Sequence, residues 1–551
     1  MESKENGEKG ERRINLDDIL INELGQLGPF QIRTLLLILI SVIFGSWAAN
    51  EYVFTTARIN TRCLIPECDG AQPEFSPGWL ENAIPGTGSS FEGCKRFRSA
   101  GNFSHQPACP AHVFDRNYTK GCEERVYENT LSVVYDYDLG CDEWRRSMIA
   151  SLRTLGSLAA LPVTGHISDR FGRRVALVFS SFNLAWLGAV RYVAGTYNGF
   201  LISQLVEATF GSGAFSCAYV IATEIVGPKY RVAAGAVIST FFSVGQILMG
   251  LIAWAVPHWR SLTLVLYVPQ VITLAYLWAI SECVRWYLSK GHYDKAEKVL
   301  KKIAEVNKRE LTEKSLAALR ATAEKEMQEA LINKTEKAKE PWLVVQVLRN
   351  KKILLRCVVS PIWWIAVTFI YNGMALNAVN MSGNPYLNYM AVSSAQIPGY
   401  WAAVLLLGRL GRRPVLIMAF WIGAACQITY IFMPGDKPGA SLAVYLIGTC
   451  SSAMTMTAVY VYTLELYPTR YRHSLFAFSS MIGRFGAILA PLTPALSAAV
   501  WDKLPFALFG ALALLSGALI FLTPETLGVA LPDTLEQATE IGNPKNKRAA
   551  I

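Results

Sequence analysis

Apolar and polar positions along this chain are segregated into long blocks. A polar stretch at 1–29 precedes an apolar run from about Gln31 to Thr55, and a second polar stretch fills 56–144. Five more apolar runs follow at roughly 145–166, 174–194, 198–224, 232–255 and 261–282. Residues 283–352 are polar and rich in Lys and Glu. Six further runs lie near 353–377, 385–407, 414–433, 440–463, 473–498 and 503–523, before a polar tail. A helix rises about 1.5 Å per residue, so a run of about twenty crosses the ~30 Å hydrocarbon core of a bilayer. Backbone amides find no water there and must bond within the segment, which makes each run a helix. The pattern predicts an all-α membrane protein with twelve transmembrane helices. Helical spacing over Ala296–Ile303 and Leu316–Leu331 predicts amphipathic helices in the central polar region, and a shorter one is expected around Leu16–Leu24.

Composition agrees, with 52% hydrophobic and 17% charged residues, too apolar for a soluble enzyme of 551 residues. The net charge of +10 does not call for a nucleic-acid partner. Arg170, Arg173, Arg174, Lys229, Arg231, Arg409, Arg412, Arg413, Arg470 and Arg472 all fall in loops on one side of the predicted bundle, the mark of a cytoplasmic face. The 283–352 linker and both termini lie on that side. No cleavable signal peptide is expected, because residues 1–29 are polar.

The 56–144 stretch lies on the opposite side and holds Cys63, Cys68, Cys94, Cys109, Cys122 and Cys141. An even set of cysteines in one polar loop predicts an extracellular disulfide framework, its pairing left open. No C-x-x-C pair or His cluster favours a zinc site. Asn102-Phe-Ser104 and Asn117-Tyr-Thr119 add two glycosylation acceptors. No phosphate loop or nucleophile elbow supports an enzyme, direct ATP use or a cofactor.

The chain also repeats. GHISDRFGRR at 165–174 is echoed by GRLGRRP at 408–414, and TEIVGPKYR at 223–231 by LELYPTRYR at 464–472; Glu282 is echoed by Glu525. The intervals are 239 from Arg173 to Arg412, 241 from Glu224 to Glu465 and 243 from Glu282 to Glu525. Near-constant intervals imply two six-helix pseudo-repeats, an architecture of transporters that bind substrate between the halves. The expected division is a tail at 1–30, a first half at 31–282 that includes the 56–144 loop, a linker at 283–352, a second half at 353–523 and a tail at 524–551.

The segment at 165–174 resembles the loop motif of the major facilitator superfamily. Within it the chain resembles the organic cation, organic anion and carnitine transporter family. The likeness rests on the long cysteine-bearing loop, ELYPT at 465–469, SGN at 382–384 and PETLG at 524–528. It implies the major facilitator fold, a multi-pass plasma-membrane transporter of small organic ions, and a gating latch on the cytoplasmic face. Asp169, Arg170, Arg173 and Arg174 form the first copy of that latch. Glu224 with Arg231, Glu465 with Arg472, and Glu282 and Glu525 are further gating candidates. The plainer alternative is that the basic residues only set topology. Gly408 replaces the acid in the second copy, so a weaker latch is expected there. The chain reads Ser281-Glu282-Cys283-Val284-Arg285-Trp286-Tyr287 where that family commonly has PESPRWL, so both prolines are missing from the approach to the linker.

The same resemblance implies a binding pocket of Phe215, Tyr219, Phe242, Trp364, Tyr371, Gln396, Met456 and Arg484. Phe215 and Tyr219 are spaced i,i+4 and Trp364 and Tyr371 i,i+7, so each pair shares a helical face. Aromatic faces hold flat or cationic molecules, although aromatics in membrane helices also serve as packing and interface anchors. Cation carriers of the family have Asp at the position of Arg484 and often Glu at that of Gln396. Arginine is similar to the anion and carnitine branches and offers a fork to a carboxylate. Tyr400 stands where the anion branch commonly has lysine, which favours a monoanion or a zwitterion.

Arg484 could instead neutralise Glu51 or bond carbonyls freed near Pro491. Arg153 is either a second anion ligand or snorkels outward. Glu51 holds a substrate ammonium or a proton, or is solvated at its helix end, and His258 is read as structural. Three functions remain: an organic-ion carrier leaning to anions or zwitterions, a cation carrier using other acids such as Glu51, and a transport-dead receptor. A sugar carrier shares PETLG and the loop motif but not the cysteine-rich loop or Arg484. The expected mechanism is alternating access.

Overall fold

The computed structural model describes residues 15–541 apart from 88–89, 102–107, 338–342, 382, 434–437, 469–470, 530–531 and 533–534. Among the described residues, eleven helices are long and apolar enough to cross a membrane. They run Pro29–Thr55, Arg173–Val193, Tyr197–Ile225, Pro228–Ala255, Trp259–Ala279, Lys351–Asn380, Pro385–Leu410, Arg412–Ile431, Gly439–Leu466, Ser474–Ala499 and Leu504–Leu522. A further helix, Glu143–Phe171, is as long but more polar. Its charges sit mainly near its two ends, and the one well inside, Arg153, is paired with protein acid. In chain order these are spans 1 to 12, with Glu143–Phe171 as span 2.

Spans 1–6 pack as one bundle and spans 7–12 as another, the two six-helix repeats of the major facilitator fold. The bundles meet where span 5 lies along span 8 and span 2 along span 11. One end of the molecule carries the 56–144 loop and the other the linker, called here the loop side and the linker side.

The loop departs from the all-α pattern. It contains short antiparallel ribbons, Thr61–Cys63 with Arg125–Tyr127 and Lys95–Ser99 with Phe114–Gly121. Its cysteines pair as Cys63–Cys122, Cys68–Cys109 and Cys94–Cys141. Around these bonds Ile65, Ile84 and Val113 form a small core. A segment this polar buries little apolar surface, so cross-links supply what a larger core would. The buried Arg62–Asp69 pair at 2.7 Å and Arg96–Glu67 at 2.8 Å add charge-assisted bonds. Asn117 is exposed on its strand, and Asn102 lies outside the described residues.

The linker forms helices Val284–Ser289, Tyr293–Asn307, Glu313–Lys337 and Leu343–Arg349. The N-terminal segment is not a free tail. Asn15 and Asp18 form a capping box that starts a helical turn at Leu16, and a π turn carries it on through Leu24. Leu16, Ile19, Leu20 and Leu24 are buried against Leu300, Ile303 and Leu316 of the linker. Asp17 accepts from Arg231 at 2.6 Å and from Arg285.

Candidate functional site

The linker side shows the repeat as geometry. Gly172 and Gly411 end spans 2 and 8 with φ of +106° and +100°, a region open chiefly to glycine. The chain thereby reverses into spans 3 and 9, whose first N–H groups have no intrahelical acceptor. Glu282 fills that role in the first half, accepting from the N–H of Arg173 at 2.9 Å and Arg174 at 3.2 Å. Glu525 does the same in the second, accepting from Arg412 and Arg413 at 3.0 Å each. Each carboxylate sits at the positive end of a helix dipole. The lost prolines of 281–287 therefore leave this cap intact, and Trp286 Nε1 still bonds the Asp169 carbonyl at 3.1 Å.

The arginine side chains are sorted differently from expectation. Arg173 pairs with Asp169 at 2.8 Å and reaches Glu224 at 3.7 Å. The expected Glu224–Arg231 pair is replaced, because Val226 is extended and Pro228–Tyr230 forms a 3-10 turn that carries Arg231 to the docked N-terminal segment. In the second half Arg412 takes Glu465 with bonds of 2.9–3.1 Å, so Gly408 does not leave it without a carboxylate. Arg472 stands at the start of the span 11 helix. Arg174 and Arg413 bond the backbone carbonyls of Leu277 and Phe521 at 2.9 Å each, and Arg170 is exposed over the Phe171 ring.

Between the halves, Arg484 of span 11 faces a cavity of about 190 Å³ whose other walls are spans 2 and 4. Among the described residues it has no ion pair or hydrogen bond; in particular, Glu51 does not reach it. Phe215 and Tyr219 of span 4 gather with Phe242 of span 5 outside the lining of that cavity, with Phe215–Phe242 centroids 5.2 Å apart and Tyr219 41% exposed. Tyr371 donates to Gln396 at 2.8 Å, and Ser243 of the first half donates to the same amide oxygen at 2.9 Å. Gln396 is 1% exposed and Trp364 is 1% exposed, with its Nε1 on Thr463 at 3.0 Å. Met456 packs partly buried against the core. Tyr219 is thus exposed and Phe215 and Phe242 are partly buried, whereas Trp364 and Gln396 are enclosed.

The membrane-buried charges were only partly legible. Glu51 is fully buried rather than solvated, accepting from Arg191 at 2.9 Å and Thr263 at 3.2 Å. Arg191 also grips Glu207. Arg153 neither snorkels outward nor lines the cavity; it lies 3.5 Å from Glu207 and bonds the Ala48 carbonyl. Four charges of zero net sum thereby join spans 1 to 4. Arg191 and Glu207 went unread, although an acid midway along an apolar span was the available signal.

The profile of the Major Facilitator Superfamily matches residues 138–491. The Organic cation transporter protein of Drosophila melanogaster is 31% identical over 96% of this chain and 95% of its own length. The chain belongs to the organic cation, organic anion and carnitine transporter family of the major facilitator superfamily. Solute carrier family 22 member 3 of Mus musculus is 28% identical over 96% of both chains, and Organic cation/carnitine transporter 2 of Rattus norvegicus 29% over 94% of this chain and 93% of that one. The inward open conformation of the xylose transporter XylE from E. coli shares the fold at a TM-score of 0.61 and 14% identity, covering 93% of this chain and all of that one. This is a family of transporters, not of enzymes.

In this transporter the halves are shut on the loop side. Ser151 of span 2 bonds the Ile488 carbonyl at 3.0 Å, and Phe54 stacks on Tyr386 at 5.4 Å. Above that closure lies a cleft of about 600 Å³, separate from Arg484. On the linker side, among the described residues, no ion pair joins the two halves.

Proposed function

We propose that this transporter carries small organic ions across the plasma membrane by alternating access, and that it prefers carboxylate-bearing anions or zwitterions held by Arg484. The loop is assigned to the outside and the linker with both termini to the inside, as the basic loops and the disulfides suggest. One observation carries the substrate reading: Arg484 faces a cavity between the halves with no acid among the described residues to neutralise it. A charge in a membrane span costs about 2.5–3.5 kcal/mol on insertion scales, so it is retained where it meets water or a ligand. A carboxylate supplies that counter-charge and Phe215, Tyr219 and Phe242 the apolar contact. Asp169, Arg173, Glu224, Arg412 and Glu465 act as latches that change partners as the halves rock.

The cation reading draws on the aromatic cluster and on the name of the Drosophila melanogaster relative. It lacks its acid, since Glu51 is buried and already paired with Arg191. Uptake of labelled carnitine, an aryl carboxylate and a quaternary ammonium without a carboxylate separates the two. The wild type is expected to favour the carboxylates, and Arg484→Ala and Arg484→Asp to lose them. Uptake of the plain ammonium with Arg484→Ala indifferent would reverse the assignment, and binding without flux would make the protein a receptor.

A further inference from the structure

The cavity facing Arg484 has a second chemical character. Beside the guanidinium its polar wall is made of hydroxyls: Ser157, Thr164 and Ser168 of span 2, and Ser212 and Ser216 of span 4. Serines and threonines in these helices usually turn back to a carbonyl of their own helix, as Thr154, Thr209 and Thr223 do at 2.8–3.0 Å. Thr164 does not. The residue is only 6% exposed, and its Oγ1 has no hydrogen-bond partner. Gly213 makes room for it, because a Cβ there would come within 2.0 Å of that oxygen. The hydroxyls of Ser212, partly buried at the interruption of span 4, and of the exposed Ser216 also have no hydrogen bond among the described residues.

A buried hydroxyl without a partner is disfavoured unless something binds it in another state of the cycle. A hydroxyl beside a free guanidinium is a donor placed where negative charge is drawn. At about 190 Å³ the cavity is too small for a whole drug-sized molecule, which fills some 300–1,000 Å³. It fits an acidic head group, with the rest of the molecule left to the aromatic cluster. Phe215 lies three residues beyond Ser212 and Tyr219 three beyond Ser216, so the aromatic cluster occupies the strip of span 4 next to the socket.

We infer that Thr164, Ser212 and Ser216 form with Arg484 a socket for a compact oxyanion, a carboxylate or sulfonate, and that these hydroxyls set the transporter's selectivity among acidic head groups. The inference rests on the assignment of Arg484 above. Arg484 supplies the charge, and the hydroxyls supply directional donors that a halide or a bulkier acid cannot use equally.

The test is concentration-dependent uptake of labelled benzoate and benzenesulfonate in cells, normalised to surface protein. It compares wild type, Thr164→Val, Thr164→Ser, Ser216→Ala and Arg484→Ala. Thr164→Val and Ser216→Ala are expected to raise KM for benzoate by roughly ten- to a hundredfold, the order of one lost hydrogen bond to a charged group, with maximal rate nearly unchanged. They should also shift the benzoate-to-benzenesulfonate preference, and Thr164→Ser should restore it. If Arg484→Ala abolishes uptake while both hydroxyl variants keep the wild-type KM and preference, the socket is wrong and the Arg484 assignment stands. If Arg484→Ala changes nothing, the assignment beneath it fails. Should Thr164→Val not reach the surface, Ser216→Ala and Thr164→Ser decide on the same readout.

Discussion

In the first half Arg191 reaches between Glu51 and Glu207, and Arg153 closes the group. Tyr430 follows Arg191 by 239 residues, the interval that relates Arg173 to Arg412, and it packs on Phe506 at 4.4 Å and Tyr445 at 5.6 Å. Equivalent places in the two repeats are thus held by charge in one and by rings in the other. On the linker side the repeats stay alike, each with a carboxylate over the first amides of its third helix. The lesson is about tolerance. Rings contribute area and adapt to substitution in steps, whereas a buried ionic group is satisfied only when complete.

The sharpest test of that contrast is Arg191→Met against Tyr430→Leu. Removing Arg191 leaves two buried carboxylates without their main partner and should cost about 3–5 kcal/mol. Surface protein and thermal stability in detergent should fall steeply. Tyr430→Leu should lose about 1–2 kcal/mol and remain at the surface. Equal losses from the two would end the contrast. Next in size, Gly172→Ala should destabilise by about 1–2 kcal/mol, through a positive φ and a Cβ only 2.2 Å from Glu282. Gly411→Ala should do so by less, because its Cβ would be 2.8 Å from Glu525. A larger loss at Gly411 would show that the two turns are not built alike.

Glu282→Gln and Glu525→Gln probe the shared frame. Each removes one carboxylate from one helix start and should cost about 1 kcal/mol with similar slowing of uptake. A large asymmetry would mean that one cap does more than cap. Smallest of all, Asp17→Asn acts on a strap present only in the first half. Its partly exposed pairs with Arg231 and Arg285 are worth under about 1 kcal/mol. Thermal stability should hardly change, and any clear change in uptake rate would assign the strap to gating.

The twelve helices, the two repeats and the cysteine-rich loop were legible in the sequence because each leaves a long-range pattern: block length, constant interval, residue type confined to one segment. Partner choice was not. Spacing matched Glu224 with Arg231, but a single 3-10 turn decides which way Arg231 faces, and its partner, Asp17, is more than two hundred residues away. Glu51 read as solvated for a similar reason, since the residues that enclose it come from spans 3, 4 and 6. Arg484 was found because an arginine in an apolar run stands out. Thr164 was not, because nothing local tells a threonine bonded to its own helix from one that faces a cavity.

The described bonds of the loop tie it to one repeat. Among the described residues, its bonds to the bundle run to the first half: the Thr56 carbonyl to Arg146, the Leu131 carbonyl to Trp259, Asp136 to Arg260 and Tyr137 to the Ala194 carbonyl. Cross-linked within and anchored on one body, it is a handle fixed to that body. A fluorophore at Asn117 paired with one at the exposed Trp501 should therefore read the angle between the bodies directly, with little contribution from the loop's own motion. An antibody confined to the loop should ride along without slowing turnover, whereas one that also grips Trp501 should act as a clamp.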